Sequence, residues 1–290
     1  MVDSFTDRLF DGNRAGVVPR ADGLDERLMQ LIAAEINASE TAFVHRAADA
    51  DFHFRFFAPG CEVPFCGHAF VGAAACLGER MAAQGGFESG RLKIRTGAGF
   101  HDVDLKRSAT GFQVTLTQAA PLFRPNPHPV DLVASALGLD YSDFDDAQPM
   151  TLAYTGLWHL LVGLREAEAV KRCKPDFAKL AAINIEAGVA TTHLYAKNGG
   201  GWFCRGFAPA VGVDEDPVTG SASGALGAYL VKIRREAPQA LIGMEQRNPS
   251  GRGGRVEVWV GGTPEKPEVV KITGNAVISM TGEVATDEGP

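Results

Sequence analysis

The chain contains the stretch Arg55-Phe56-Phe57-Ala58-Pro59 and repeats it 150 residues later as Arg205-Gly206-Phe207-Ala208-Pro209, with four of the five residues identical. A predicted helix and then a predicted strand precede each copy, in the same order. The helices are Glu26–Ile36 and Phe177–Ile185, and the strands are Thr41–His45 and Thr191–Tyr195. A repeated order of elements predicts a duplicated, two-domain architecture.

A segment of small residues follows each copy of the repeat. Gly67–Leu77 and Gly220–Leu230 contain no Asp, Glu, Lys or Arg, which is typical of a helix buried on every side. Glycine inside a helix costs about 1 kcal/mol relative to alanine. The glycines in these two segments therefore indicate that surrounding strands pack closely against the helix backbone.

Alternating and β-rich runs predict those strands. They are Phe52–Phe57, Leu92–Thr96, Phe112–Thr117, His159–Leu164, Trp202–Phe207, Val256–Val260, Val269–Thr273 and Val277–Met280. We therefore expect an α+β fold of two pseudo-symmetric domains. Each would be a mostly antiparallel, barrel-like sheet wrapped around a central helix.

The domain boundary is expected at a proline-rich linker, Pro121–Pro129. The first domain would cover residues 1–118 and the second residues 119–290, with residues from about 278 to 290 packing back on the first. An active-site cleft is expected between the two copies.

Composition excludes several classes of protein. The 290 residues carry a net charge of −7 without a compact basic cluster, so no nucleic-acid partner is expected. Neither a secretion signal nor an apolar membrane span is evident, and five cysteines, an odd number, fit a reducing cytoplasm. Neither a P-loop nor a dinucleotide-binding motif occurs, so no cofactor is expected.

Functional residues are expected where the two halves differ. Glu40 precedes a strand where the second half has Ala190, and His68 follows a helix-opening glycine where the second half has Ser221. Asp216 has no acidic counterpart in the first half. A shielded glutamate can act as general acid or base, and helix N-termini bind anions.

Ordinary structural roles are open for each of these residues. Glu40 could be a surface glutamate, His68 a buried core residue or a helix cap, and Ser221 an N-cap. Asp216 could begin a turn or orient His68 or the substrate.

The cysteines allow further alternatives. Cys61-x4-Cys66-x-His68 falls within loose zinc-ligand spacing, but no second ligand pair follows nearby, so no metal is expected. Cys66 at a helix N-terminus could be a reactive thiolate. A racemase would need a second thiol in the other half, where Pro217 or Thr219 stands. A thiol hydrolase would need a third group to orient His68.

Four motifs together resemble the phenazine-biosynthesis PhzF-like family. They are Asp3–Asn13, Asn37-Ala38-Ser39-Glu40-Thr41, Pro64-Phe65-Cys66-Gly67-His68 and Glu215–Ser221. The resemblance covers essentially the whole chain and implies the diaminopimelate-epimerase fold and a cofactor-free homodimer. It also implies that Glu40 is the general acid/base. His68, Asp216 and Ser221 would position the substrate, with Gly67 and Gly220 lining a carboxylate site.

These observations predict a cofactor-independent isomerase of a small carboxylate-bearing metabolite. Glu40 would move the proton, and Cys66 and Asn13 are further possible site residues. Two alternatives are an amino-acid epimerase or racemase that uses Cys66, and a non-catalytic protein that binds small molecules.

Overall fold

A computed structural model describes residues 1–285 and divides the chain into two compact units. Met1–Leu116 and the described residues from Gly274 to residue 285 form the first unit, and Thr117–Thr273 form the second. The second unit therefore ends at Thr273, earlier than the sequence predicted, because the last strand passes from one unit into the other. Of the C-terminal segment expected to pack back, residues 286–290 lie outside the described residues.

The first unit contains eight strands and two helices. The strands are β1 (Val2–Ser4), β2 (Asn13–Val18), β3 (Thr41–Arg46), β4 (Phe52–Phe57), β5 (Glu62–Val63), β6 (Ser89–Thr96), β7 (Gly99–Arg107) and β8 (Phe112–Thr117). The helices are α1 (Glu26–Ile36) and α2 (Gly67–Gly85). The two predicted helices of this half are thus confirmed, the second with a longer C-terminal end.

The second unit contains the remaining strands and helices. The strands are β9 (Leu122–Pro125), β10 (Thr151–Tyr154), β11 (Trp158–Gly163), β12 (Thr191–Asn198), β13 (Gly201–Ala208), β14 (Val213–Asp216), β15 (Leu241–Arg247), β16 (Gly253–Gly262) and β17 (Pro267–Ile278). The helices are α3 (Val130–Leu137), α4 (Ala167–Arg172), α5 (Phe177–Ala187) and α6 (Gly220–Lys232). The predicted linker contains β9, and the two predicted strands near the C-terminus form the single strand β17.

Strand pairing closes the sheet of the first unit into a barrel. Antiparallel pairs alternate with two parallel ones, β2 with β3 and β4 with β6. Helix α1 lies in the connection from β2 to β3, and helix α2 lies in the connection from β4 to β6. After β8 the pairing continues to β17, which returns to β1 through the pairs Val2↔Ile278 and Ser4↔Ala276.

The second unit, taken by itself, uses the same order of connections. Strand β11 pairs in parallel with β12, and β13 pairs in parallel with β15. Helices α4 and α5 connect the first pair, and α6 connects the second. Antiparallel partners complete the sheet, with β9 beside β10 and β16 beside β17. The fold is therefore mixed α+β, as predicted, with sheets that are mostly antiparallel.

The small-residue helices are buried, as their composition predicts. Residues 69–78 of α2 are all buried, and so are residues 222–231 of α6. A Cβ atom added to Gly78 would lie 2.7 Å from the Phe112 ring, and one added to Gly227 would lie 2.5 Å from Val258 Cγ1. Glycine is needed at these positions because the strands approach the helix backbone too closely for a side chain.

The repeated Arg-x-Phe-Ala-Pro stretch forms the same contacts in each unit. Arg55 makes two hydrogen bonds to Glu62, at 2.7 and 2.6 Å, and Arg205 makes two to Glu215, both at 2.8 Å. Each guanidinium also lies about 5 Å from the ring two residues later on its strand, that of Phe57 or Phe207. The hydrogen bonds to Glu62 raise the pKa of Arg55 and lower that of Glu62. The repeat therefore fixes the arginine strand against the short strand that follows it.

Among residues 1–285, no helix combines the length and the apolar character needed to cross a membrane.

Replacing Gly78 by alanine tests the close packing of α2. The new methyl group would overlap Phe112, so we expect Gly78→Ala to lower the free energy of unfolding by about 1–3 kcal/mol, as overpacking does. Gly85→Ala is the matched control, because Gly85 belongs to the same helix and a Cβ added there would meet no atom within 4 Å. Urea denaturation measures both. Equal stability of the two variants would contradict the packing argument.

Candidate active site

Glu40 lies between the end of α1 and the start of β3. Helix α1 packs Met29 and Ile32 into a core with Phe43, and Asn37 ends the helix in the left-handed conformation at φ 49°. The Glu40 carbonyl accepts a hydrogen bond of 3.0 Å from the backbone N–H of Gly16. The end of α1 before Glu40 and the hydrogen bond to the Glu40 carbonyl therefore hold this part of the backbone in place. The Glu40 side chain is 24% exposed.

The His68 imidazole contacts three side chains of the first unit. Its Nε2 lies 3.3 Å from Glu40 Oε2 and 3.1 Å from Ser39 Oγ, and its Nδ1 lies 3.4 Å from Cys66 Sγ. The Ser4 hydroxyl donates a 2.7 Å hydrogen bond to the His68 carbonyl and so fixes the first turn of α2. The ring, of which 12% is exposed, therefore contacts a carboxylate and a thiol that lie close to each other.

This arrangement corrects one expectation. The sequence indicated no group that would orient His68 beside Cys66, whereas the structure places Ser39 and Glu40 beside its Nε2 atom. The Cys66 thiol lies near both ring nitrogens, at 3.4 Å from Nδ1 and 3.9 Å from Nε2. Ser39 and Glu40 can therefore orient the imidazole.

The Glu40 Oε2 atom is buried and has no hydrogen bond within the described residues. Its 3.3 Å approach to His68 Nε2 is an ion-pair distance without hydrogen-bond geometry. Buried carboxylate oxygens usually accept hydrogen bonds. An acceptor site on Glu40 is therefore available to a further group.

Gly67 begins α2 beside this carboxylate. The first hydrogen bond within the helix runs from Phe70 N–H to the Cys66 carbonyl, so the N–H groups of residues 67–69 have no acceptor within the helix. A Cβ at Gly67 would meet no atom within 4 Å. The helix start therefore combines open space with N–H groups that are not used within the helix, a combination suited to an anion.

Asn13, the remaining predicted residue of this unit, is buried at the start of β2. It lies opposite Ser4 in the β1–β2 pair. Because Ser4 holds the His68 carbonyl, Asn13 lies one strand away from a residue that positions the histidine.

The predicted residues of the second unit lie on one loop and the helix after it. Asp216 ends β14, and its carboxylate accepts a 2.5 Å hydrogen bond from the Thr219 hydroxyl. The Gln246 amide bridges the loop, because it donates to the Asp216 carbonyl at 2.7 Å and accepts from the Thr219 N–H at 3.0 Å. Gly220 and Ser221 are the first two residues of α6.

The structure excludes the alternative in which His68 and Ser221 cap their helices. Cys66 and Thr219 occupy the N-cap positions of α2 and α6, and neither side chain makes a capping hydrogen bond. His68 and Ser221 are the second residues of their helices. Their side chains are consequently not used to close the helix ends.

Comparison with known proteins identifies the family of this chain. The family model described as phenazine biosynthesis-like protein, PhzC-PhzF, matches residues 2–282. This chain belongs to the PhzF family. The family and the enzyme class predicted from the sequence, isomerase, are therefore confirmed.

Three similar proteins illustrate the match. An uncharacterized isomerase of Clostridium acetobutylicum is 34% identical, and the alignment covers 98% of this chain and 96% of that protein. The trans-2,3-dihydro-3-hydroxyanthranilate isomerase of Pseudomonas aeruginosa is 32% identical, with 97% of each chain covered. The crystal structure of a Bacillus anthracis PhzF-family protein has a TM-score of 0.85 at 31% identity and covers 95% of this chain and 94% of its own.

The PhzF-family motifs do not identify every residue that contacts His68 or the Asp216 loop. Ser4 and Ser39 belong to these motifs, but their spacing in the sequence gave no indication that either residue contacts His68. Gln246 lies 30 residues from Asp216, and a lone glutamine in a β-rich run gives no signal. Only the pairing of β13 with β15 brings it to the Asp216 loop.

Two histidines of the second unit are fully buried near this loop. His193 lies opposite Gly206 in the β12–β13 pair, and Gly206 lies opposite Asp216 in the next pair. His159 pairs with Thr191 and contacts its hydroxyl at 2.6 Å. Burial lowers the pKa of each imidazole from 6.5 to about 3, so both are neutral in the folded protein.

These pKa shifts predict acid sensitivity with a definite sign. Because the folded pKa is below the unfolded value, the unfolded chain binds more protons between about pH 6.5 and 3. The full stability is present above about pH 6.5 and declines as the pH falls, by up to about 1.4 kcal/mol per pH unit for each histidine. We expect urea denaturation between pH 7.5 and 5 to give a shallower pH slope for His193→Gln than for the wild type. An unchanged slope would contradict the assignment, whatever the stability of the variant at pH 7.5.

Proposed function

We propose that this protein is a cofactor-independent isomerase that moves a proton on a small carboxylate-bearing metabolite, with Glu40 as general acid and base. One observation carries the proposal: Glu40 Oε2 is buried, has no hydrogen bond within the described residues and lies 3.3 Å from His68 Nε2. Membership of the PhzF family and the isomerases among the relatives support the reaction class.

In the proposed reaction, Glu40 removes a proton from a carbon next to a carbonyl group or a double bond. The electron pair of the broken C–H bond enters the neighbouring π system. The protonated Glu40 then delivers the proton to another carbon, so the double bond moves and no atom is gained or lost. Proton transfer by a positioned side chain contributes typically about 10²–10⁴-fold, and orientation by His68 and the binding residues supplies a further part.

The substrate carboxylate is assigned to the helix N-termini. At α2, the open space beside Gly67 and the N–H groups of residues 67–69 favour an anion. Asp216, Gly220 and Ser221 of the second unit are assigned to substrate binding as well. The identical order of connections in the two units supports treating them as pseudo-symmetric copies of the diaminopimelate-epimerase design.

Replacing Glu40 by glutamine tests the proposal. The amide keeps the size of the side chain but cannot accept the substrate proton, so we expect turnover to fall by about 10²–10⁴-fold. The measurement is solvent-deuterium incorporation and product formation by NMR across a panel of small unsaturated carboxylic acids. Circular dichroism checks that the fold persists.

Glu35→Gln is the matched control, because Glu35 is exposed on α1, five residues before Glu40. It removes the same charge and should keep wild-type turnover. Wild-type activity in Glu40→Gln contradicts the role of Glu40. Carboxylic acids that bind the wild type without any proton exchange favour the non-catalytic binding protein instead.

A second candidate function uses Cys66. Its Sγ lies 3.4 Å from His68 Nδ1, so His68 can accept the thiol proton and leave a thiolate that acts as a base or nucleophile. An epimerase of this kind would incorporate solvent deuterium at one carbon without moving a double bond. Loss of that exchange in Cys66→Ser, with retention in Glu40→Gln, would favour this candidate. We expect the opposite pattern.

A further inference from the structure

Three metal-binding side chains of different type converge in the first unit. Glu40, Cys66 and His68 each present one ligand atom, and these atoms all lie within 4.8 Å of one another. Within residues 1–285 this is the one such group of His, Cys, Asp and Glu. Cys66 and His68 come from the start of α2, whereas Glu40 precedes β3. The residues therefore meet only through the fold.

The distances resemble those of a metal-ligand set. In a tetrahedral zinc site with bonds of about 2.0–2.3 Å, nitrogen and oxygen ligands are separated by about 3.4 Å and sulfur and nitrogen by about 3.5 Å. Here Glu40 Oε2 lies 3.3 Å from His68 Nε2, and Cys66 Sγ lies 3.9 Å from the same nitrogen. The third separation, between a Glu40 carboxylate oxygen and Cys66 Sγ, is within 4.8 Å, so metal binding would draw these two side chains closer together.

The chemistry of the three atoms favours a particular class of ion. Thiolate and imidazole ligands select Zn²⁺ and similar soft or borderline ions over Mg²⁺ and Ca²⁺, which prefer oxygen. The buried oxygen of Glu40 without a hydrogen bond supplies a third, negatively charged ligand. A fourth position would be left for water, as in zinc sites with three protein ligands.

We propose that Glu40, Cys66 and His68 bind Zn²⁺ when substrate is absent, and that the bound ion inhibits the enzyme. On binding, the Cys66 thiol loses its proton to solvent, and neutral His68 coordinates through Nε2 in the tautomer that carries its single proton on Nδ1. Inhibition follows because coordination occupies the Glu40 oxygen that would accept the substrate proton. The inhibitory part rests on the proposed function, whereas the binding part does not.

Cadmium provides a direct probe of binding, because a cadmium–thiolate bond absorbs in the ultraviolet. We expect Cd²⁺ added to the chelator-treated full chain to give this absorbance at one equivalent, and Zn²⁺ to remove it by competition. Cys66→Ser should abolish the band, and Glu40→Gln should weaken binding by roughly tenfold or more. Circular dichroism of each variant establishes that it is folded.

Cys61→Ser is the matched control, because Cys61 is exposed, five residues before Cys66, and should leave the band and the activity unchanged. A band that persists in Cys66→Ser, or none with Cd²⁺ in tenfold excess, would overturn the site. Turnover is measured in parallel, and Zn²⁺ should inhibit competitively with substrate. A saturated band with full turnover would refute inhibition and count against Glu40 as the base, whereas no band with normal catalysis by Glu40 would overturn only the metal site.

Discussion

The close approach of strands to the backbone of helix α2 is the constraint on which the candidate site depends. Gly78 and the other small residues of α2 allow Phe112 and the surrounding strands to pack directly against the helix. This packing fixes the axis of the helix. With the axis fixed, the helix begins at Gly67 and presents His68 to Glu40. Function at the helix start is thus linked to packing two to three turns away.

Electrostatics then decides what the helix start can do. The N–H groups of its first turn favour an anion, while His68 contacts a carboxylate and a thiol of the same unit. Such a site can bind an anionic substrate beside a base. It can also bind a soft or borderline cation when no substrate is present. Proton transfer and zinc inhibition would therefore be competing uses of one set of side chains.

Much of this organisation was predictable because it follows from local patterns. The strands Phe52–Phe57 and Phe112–Thr117 and the helix Glu26–Ile36 have the predicted bounds, since alternation and apolar spacing depend on neighbours in sequence. The contacts of Ser39 and Gln246 were not predictable. Ser39 reaches His68 from the loop before β3, and Gln246 reaches the Asp216 loop through the pairing of β13 with β15. A single polar residue carries no periodic signal. The cap alternative for His68 and Ser221 is excluded because each is the second residue of its helix.

The central claim is that one carboxylate both removes and returns the migrating proton. Its most direct test follows a substrate deuterated at the carbon that loses the proton, converted in ordinary water and analysed by mass spectrometry at the earliest times. The account predicts that part of the deuterium reappears at the new C–H position, because Glu40 carries it between the two carbons. A product whose new position contains only solvent hydrogen, even at the earliest times, would contradict it.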